Sequence, residues 1–217
     1  MEATTTKQQI ISHYMDHVLE HGEEPKSIYS FTKELKIDEN EFYKFYTSFD
    51  HIESDVLVFF HDETLRLMAS ETSENELDAK NQLLTFYYTF FELMTNNRSY
   101  VAKSLQTGIY DLKKLKLLKP LKEEFKKFIK SLSIETVDLK QDKINSIKEK
   151  SIEELAWSQL LFTIKFWLED TSASFEKTDL FIEKSVNASF DFLSVTPLEN
   201  LIDFGKFFFK EKIKSKF

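Results

Sequence analysis

The chain has 217 residues, of which 41% are apolar and 15% aromatic, so it can bury a substantial core and does not belong to the disordered acidic proteins despite its net charge of −8. It contains no cysteine, which excludes disulfides, thiolate metal sites and cysteine nucleophiles. With only three Gly and three Pro, strands joined by tight turns are disfavoured, and we predict an all-α fold.

The first predicted element is an amphipathic helix that carries Ile10, Tyr14 and Val18 on its apolar side. Gly22 and Pro25 follow this helix, and that order is typical of a helix C-terminal stop. We therefore expect the first helix to end near Gly22.

Three histidines, His13, His17 and His21, are four residues apart on this helix, a spacing that can place metal ligands on one helical face. They lie on the polar side of the helix, and the sequence offers no fourth ligand that can be assigned to them. A solvated polar face accounts for all three, so we predict no metal site and no cofactor.

Residues 27–52 have the apolar spacing of a short helix, a tight turn and a second short helix, which is a helix-turn-helix pattern. Asp38 is a favourable N-cap residue, and Glu41 stands three positions later, so we predict a capping box at the start of the second helix. The residues predicted to form the buried faces of the two helices are Ile28, Phe31, Leu35, Phe42, Phe45 and Tyr46.

The pattern as a whole resembles the N-terminal domain of tetracycline-repressor-like regulators, from about residue 7 to residue 60. The shared features are a helix ending near a Gly, a short second helix, and the run Tyr43-x-x-Tyr46-x-Ser48, which leads into a long fourth helix. Ile52 occupies the aliphatic position that closes this run. The resemblance implies a helix-turn-helix headpiece, residues 1–66, that binds operator DNA. The residues it implies for DNA contact are Lys26, Lys36, Asn40, Tyr43, Lys44 and Ser48.

Two positions differ from the usual family pattern. Lys36 stands where the family usually has Gly in the turn, so we predict a left-handed backbone there at a cost of roughly 1–2 kcal/mol. Phe49 stands where the family usually has a phosphate-contacting Lys. The face that would enter the groove also begins with Glu39, Asn40 and Glu41, which is an acidic start.

The charge is concentrated at the N-terminal end of the chain. Residues 1–68 contain six Lys and Arg against 14 Asp and Glu, a difference of −8, whereas residues 69–217 contain 23 of each. DNA repels such a surface at long range. Two functions therefore stay open: a DNA-binding regulator, or a module that keeps the scaffold without DNA affinity and binds a small apolar ligand or a basic protein.

The remainder, residues 67–217, is predicted to be a helical domain for ligand binding and dimerisation. We predict helices over residues 77–94, 100–118, 120–129, 154–169 and 181–193, and a capping box at residues 196–199. The polar stretch 131–150, with scattered Ile and Leu, is predicted to be a loop or a frayed helix.

An aromatic run in this domain has two interpretations, a packed core or the wall of an apolar ligand cavity. No particular ligand is indicated by the sequence. The residues predicted for ligand contact are Phe86, Tyr87, Tyr88, Phe91, Met94, Tyr110, Phe125, Phe128 and Phe162.

Two late helices, residues 157–168 and 181–193, carry more apolar surface than one helical face needs. The family resemblance implies that such helices from two subunits pack as a four-helix bundle in a homodimer, while a monomeric core is the alternative. The residues predicted for this interface are Trp157, Leu161, Ile164, Trp167, Phe181, Val186 and Phe190.

The last 14 residues, 204–217, contain five Lys and five Phe, and we expect them to pack on the protein rather than contact a membrane. No nucleophile elbow, phosphate loop or distinctive carboxylate pair occurs, so no enzymatic activity is predicted. The N-terminal residues lack a basic flank and an apolar run, and no segment is apolar enough to span a bilayer, so we expect a cytoplasmic protein.

Overall fold

The structure is a computed structural model that describes residues 6–71, 77–105, 116–132, 134 and 142–195. These ranges are helical apart from short turns, and none of their residues lies in a β-strand, so the predicted all-α fold is confirmed. Each helix of the described ranges is too short or too polar to cross a membrane. In chain order the helices are α1 (Lys7–His21), α2 (Ile28–Leu35), α3 (Glu39–Tyr43), α4 (Phe49–Glu71), α5 (Ala79–Asn96), α6 (Arg98–Ser104), α7 (Lys119–Ser131), α8 (Asp142–Glu169) and α9 (Glu176–Val195).

Some predicted features lie outside the described residues. They are Tyr110, the capping box at residues 196–199, and the basic aromatic segment 204–217. Residues 131–150 are predicted to be a loop or a frayed helix, and the structure places the start of α8 at Asp142, so residues 142–150 follow the helical alternative. Ile144 and Ile147 give only a faint helical period there, which is why the sequence left both alternatives open.

The backbone divides into two compact units. The first contains Met1–Glu71 and Thr89–Glu124, and the second contains Thr72–Tyr88 and Phe125–Phe217. Helices α5 and α7 therefore contribute residues to both units. The domain boundary after residue 66 stays a prediction.

Local sequence accounts for the ends of the first helices. Thr6 and Gln9 form a reciprocal capping box at the start of α1, and Ser27 and Ser30 do the same for α2. Gly22 ends α1 with a left-handed backbone, φ 83°, as predicted from the sequence. Helix α1 is thus bounded at both ends by residues whose chemistry favours a helix end.

The headpiece core is aromatic. Phe31 and Phe42 are fully buried, and the Phe49 ring stacks on Tyr14 with centroids 5.8 Å apart and lies 5.5 Å from Phe31. Burying a phenylalanine side chain of this kind contributes about 1.5–3 kcal/mol. Phe49 therefore closes the headpiece core, which is the physical reason that this position is aromatic rather than cationic.

Helix α6 packs against α1 within the first unit. The rings of Tyr100 and Tyr14 meet edge to face with centroids 6.3 Å apart. The Ser104 hydroxyl donates a hydrogen bond of 3.0 Å to a carboxylate oxygen of Glu53 on α4. Leu105 at the end of α6 is also buried. Helix α6 is thereby attached to both α1 and α4.

Helices α8 and α9 form the core of the second unit, joined by a turn that Asp170 organises. The Asp170 carboxylate accepts hydrogen bonds from the backbone N–H and hydroxyl of Ser172, at 2.8 and 2.7 Å, and from those of Thr178, at 3.0 and 2.7 Å. Burial raises the pKa of this carboxyl, but the four bonds outweigh burial and lower the pKa to about 2.

Candidate functional site

The turn between α2 and α3 is closed by backbone hydrogen bonds. Lys36 has φ 57° and ψ 43°, so the predicted left-handed conformation at this position is confirmed. The Ile37 N–H donates to the Thr32 carbonyl at 3.0 Å. Because this geometry favours glycine, Lys36 is held in a strained conformation by the surrounding fold.

Helix α3 begins after Asp38, as predicted, but the predicted capping box is wrong. The Asp38 side chain makes no capping bond, and the Glu41 carboxylate instead pairs with Lys44, with Oε1 and Nζ 2.6 Å apart. The Asp38 N–H and Lys44 are both able to form a charge-assisted hydrogen bond with the Glu41 carboxylate, and in the structure Glu41 pairs with Lys44. The acidic first turn of α3, with Glu39 and Glu41, is still favourable for the helix dipole.

All the residues predicted for DNA contact are exposed, and they lie in or beside the helix-turn-helix. Tyr43, at the end of α3, is 50% exposed. The Ser48 hydroxyl accepts a hydrogen bond of 3.2 Å from the His51 N–H, so it also caps the start of α4. The exposed residues are Lys26, Lys36, Asn40, Tyr43, Lys44 and Ser48.

A hollow of about 450 Å³ lies beside these residues, where α2 meets the start of α3. Its wall includes Tyr29, which is 60% exposed and whose hydroxyl accepts a hydrogen bond of 3.1 Å from Lys33 Nζ. Sequence reasoning missed Tyr29. The sequence feature that indicates this contact is a tyrosine and a lysine four residues apart on the polar face of α2.

The fold changes the charge balance expected for the headpiece. Counting all residues assigned to the first unit, 13 Lys and Arg face 19 Asp and Glu, a difference of −6. The ammonium group of Lys103, on α6, lies close to Gly22 at the C-terminal end of α1. Its Nζ is 3.9 Å from the position that a Cβ on Gly22 would occupy. Several acids are also paired with cations: Lys7 Nζ lies 2.7 Å from Asp55 Oδ2. The unit is thus less acidic than residues 1–68 alone.

Asp55 is additionally bonded to the headpiece core. The Tyr46 hydroxyl donates to Asp55 Oδ2 at 2.6 Å. Burial raises the pKa of Tyr46, and its hydrogen bond to Asp55 raises it further, so the hydroxyl stays a donor. The Lys7, Asp55 and Tyr46 network fixes the start of α1 to α4 and to the loop that follows α3.

The histidines of α1 make contacts within α1 and with α2. His17 Nδ1 lies 3.0 Å from Glu34 Oε2, and the rings of His17 and His21 stack with centroids 4.2 Å apart. No group of three or more potential protein ligands among the described residues is arranged to hold a metal ion. His13 and His17 both contact Glu34 of α2, whereas the Nδ1 of His21 lies 3.1 Å from the His17 carbonyl oxygen within α1.

The residues predicted for ligand contact are placed in different environments. In the second unit Phe86 and Phe128 stack with centroids 4.6 Å apart, Phe125 lies 5.4 Å from Phe86, and Tyr87 is fully buried. These rings pack against one another and occupy the region in which the cavity interpretation places a ligand. Burial raises the pKa of Tyr87, while a hydrogen bond with Thr163 opposes that shift.

The other members of that predicted set do not join this cluster. Phe91 and Met94 are buried in the first unit, whereas Tyr88 and Phe162 are 39% and 57% exposed. Tyr110 lies outside the described residues. Ligand contact by this set stays a prediction, and its described members are divided between the two units.

A separate, partly enclosed cavity of about 180 Å³ is present in the second unit. It is bounded by α5, α7, α8 and α9, and its wall is mainly aliphatic and aromatic. Sequence reasoning missed this cavity because its walls come from four separate segments of the chain. The lining residues are Leu83, Ile129, Ile134, Ile152, Leu155, Ala156, Gln159, Ser189, Phe190, Phe192 and Leu193.

Most of the residues predicted for the dimer interface are buried within the subunit. Trp157, Leu161, Ile164, Trp167 and Val186 are buried in the core of the second unit, and their place in a dimer interface stays a prediction. Only the remaining two, Phe181 and Phe190, are partly exposed.

Other apolar residues of α8 and α9 are available at the surface. Phe162 and Leu180 are about half exposed, and Phe166 stacks on Phe181 with centroids 4.7 Å apart and planes at 10°. Phe166, Leu180 and Phe181 also border a shallow apolar depression. The exposed apolar surface of these helices therefore includes Phe181 from the predicted set, together with Phe162, Phe166 and Leu180.

The described residues contain a helix-turn-helix, α2 and α3, near the N-terminal end of the chain, followed by further helices. Residues 82–208, more than half of the chain, match the family model described as tetracyclin repressor-like, C-terminal domain. The chain belongs to the tetracycline-repressor-like family. No curated protein matches it.

Proposed function

We propose that this protein is a transcriptional regulator of the tetracycline-repressor type, which binds duplex DNA as a homodimer through α2 and α3. The observation that carries the proposal is the exposed set of polar residues on the turn and on α3, held by the strained backbone at Lys36. In this account the protein acts in the cytoplasm and is not an enzyme.

Base recognition is assigned to the start of α3. The Asn40 amide has the donor and acceptor pattern that pairs with adenine in the major groove. Glu39 can accept a hydrogen bond from the cytosine amino group, which gives an acidic residue a role at a DNA interface. Tyr43 at the end of α3 supplies an exposed ring and hydroxyl for the groove wall. Specific contacts of this kind compensate in part for weak electrostatic attraction.

Phosphate contacts are assigned to the residues around this helix. Lys26 and Lys36 are exposed and form no ion pair within the described part of the chain. The first N–H groups of α4, next to Ser48, carry the partial positive charge of a helix N-terminus. Because each headpiece offers few cations, we expect moderate affinity that depends on both headpieces of a dimer.

Dimerisation is assigned to the outer surface of α8 and α9. Phe162, Phe166, Leu180 and Phe181 form an apolar surface that a folded monomer would leave in water. A twofold axis through this surface would place the same residues of two subunits against each other, as a symmetric dimer requires.

Ligand control is assigned to the second unit and to α6. Helices α5 and α7 contain residues of both units, so a change in the second unit can be transmitted along them. Tyr100 and Ser104 of α6 contact α1 and α4, which carry the headpiece. A ligand that binds one arrangement of these helices better than another shifts the population of the DNA-binding form.

The direct test is selection of bound sequences from random duplexes by the purified protein. We expect an enriched pseudo-palindrome with half-sites about one DNA turn apart, ~34 Å. Asn40→Ala should reduce sequence preference, whereas Lys130→Ala, an exposed residue of α7, should not. Failure to enrich any sequence while the protein is folded and dimeric would overturn DNA binding.

A second candidate is a homodimeric module on the same scaffold that does not bind DNA. Two observations favour it: Glu41 neutralises Lys44 at the proposed interface, and the first unit carries a net charge of −6. In that case the headpiece would bind a basic protein partner, and random duplex DNA would not bind even at low ionic strength.

A further inference from the structure

We propose that the cavity bounded by α5, α7, α8 and α9 binds a small neutral molecule, between benzene and indole in size, that carries one polar group. This deepens the ligand control proposed above and rests on it for its regulatory meaning. The ligand would contact the amide of Gln159, at a site distinct from the aromatic cluster predicted from the sequence.

The size of the cavity limits the ligand. Its volume is about 180 Å³, and an engineered apolar cavity of about 150 Å³ in another protein stays dry and binds benzene. Leu83, Ile129 and Leu193 are buried and form the inner wall, while Leu155 and Phe192 are about half exposed and border the opening. A single ring or a small fused ring fits within this volume.

The cavity has one polar side, which is held in a fixed orientation. Gln159 Nε2 donates a hydrogen bond of 3.1 Å to the Ser185 hydroxyl, and the Ser189 hydroxyl donates one of 3.1 Å to Gln159 Oε1. The Ser189 hydroxyl also lies 2.9 Å from the Ser185 carbonyl. An amide has two N–H donors and two lone pairs, and these bonds use one of each. One donor and one acceptor of Gln159 are left for a ligand hydroxyl, N–H or carbonyl.

The charge of the lining excludes ions. The described residues that line the cavity include no Asp, Glu, Lys, Arg or His. A charged ligand would lose its hydration without gaining an opposite charge, which is strongly unfavourable. The ligand class is therefore neutral, with an apolar body and one hydrogen-bonding group, as in phenol or indole.

Calorimetric titration of the full-length protein without DNA tests the site, using phenol, indole, benzene and benzoate as probes. We expect phenol and indole to bind and benzoate to bind at least about tenfold more weakly. Gln159→Met removes the amide at similar length, so it should weaken phenol binding about tenfold and change benzene binding little. Ala156→Leu should narrow the cavity and weaken indole binding.

Ser158→Ala is the matched control, because Ser158 is an exposed neighbour on α8 that does not line the cavity. It should leave all four affinities unchanged. Circular dichroism and thermal unfolding check that each variant is folded, and the second cavity variant keeps the test valid if Gln159→Met does not fold.

The proposal is overturned if no probe binds the wild-type protein, which is also the result expected if another part of this chain fills the cavity. It is equally overturned if phenol binds and both cavity variants bind it as well as the wild type. Since no DNA is present, these outcomes are independent of DNA binding by the headpiece. If the protein binds the probes but does not bind DNA, the regulatory role is ruled out and the ligand site is still supported.

Discussion

Glu41 and Lys44 form an ion pair at the proposed DNA interface, with Oε1 and Nζ 2.6 Å apart. The pair lies on α3 and the residue that follows it, where the family resemblance predicts contact with the groove. In the free protein Lys44 is therefore neutralised by its own subunit. DNA binding has to break this pair or leave Lys44 out of the contact.

Replacing Glu41 with Gln should release Lys44 and raise the affinity for random duplex DNA. We expect the slope of log affinity against log salt concentration to become more negative by about one for each headpiece that contacts the DNA. Fluorescence anisotropy with a labelled duplex measures both quantities. Glu20→Gln makes the same charge change on α1 and should leave the slope unaltered. An unaltered slope for Glu41→Gln would place Lys44 outside the DNA contact.

Replacing Lys36 with Gly should stabilise the headpiece, because glycine adopts the left-handed conformation without strain. The expected gain in free energy of unfolding is about 1 kcal/mol. Lys33→Gly, within α2, should instead lose about 0.5–1 kcal/mol. Urea denaturation followed by tyrosine and tryptophan fluorescence measures both variants. A loss of stability in Lys36→Gly would show that the lysine side chain stabilises the turn.

Replacing Asp170 with Asn should destabilise the protein by about 2 kcal/mol near neutral pH, because charge-assisted hydrogen bonds at the turn are weakened. The pKa of Asp170 is lowered to about 2 in the folded state, below its ordinary value of about 3.9. Its contribution is therefore present above about pH 4 and is lost as the pH falls from about 4 to about 2.

Urea denaturation of the wild type and Asp170→Asn at about pH 6 and about pH 3 checks this prediction. The difference between the two proteins should be smaller at the lower pH. Glu169→Gln, at an exposed neighbouring position, should show no such difference. If the difference in free energy of unfolding between the two proteins stays constant with pH, the carboxylate charge of Asp170 does not contribute to stability.

Replacing Phe162 or Phe181 with Glu should convert the dimer to monomers, because each change places a charge in the proposed apolar interface. Light scattering coupled to size exclusion measures the molar mass. Leu19→Glu, at an exposed apolar position of α1, should stay dimeric. If Phe162→Glu and Phe181→Glu also stay dimeric, the dimer interface lies elsewhere.

The sequence was most informative where structure is decided locally. Gly22 ends α1 and Lys36 adopts a left-handed backbone, as predicted, because each depends on a few neighbouring residues. The predicted capping box failed although Asp38 occupies the N-cap position, because the Glu41 carboxylate pairs with Lys44. Local patterns indicate which bonds are possible and do not rank them.

The sequence was least informative about which way an apolar side chain faces. Helix α8 is apolar on several sides, so spacing could not show that Trp157 faces the core while Phe162 faces outward. For the same reason the cluster around Phe86 could be either a core or a cavity wall. The cavity beside Gln159 depends on how four segments pack, which no local pattern specifies.

The central claim is that the headpiece binds duplex DNA despite its acidic charge. Titration of a labelled random duplex with the purified dimer, from about 50 mM to about 200 mM salt, tests it most directly. We predict measurable binding at the lowest salt and a linear fall of log affinity with log salt concentration. Absence of binding at the lowest salt, with a folded dimer, would contradict the claim.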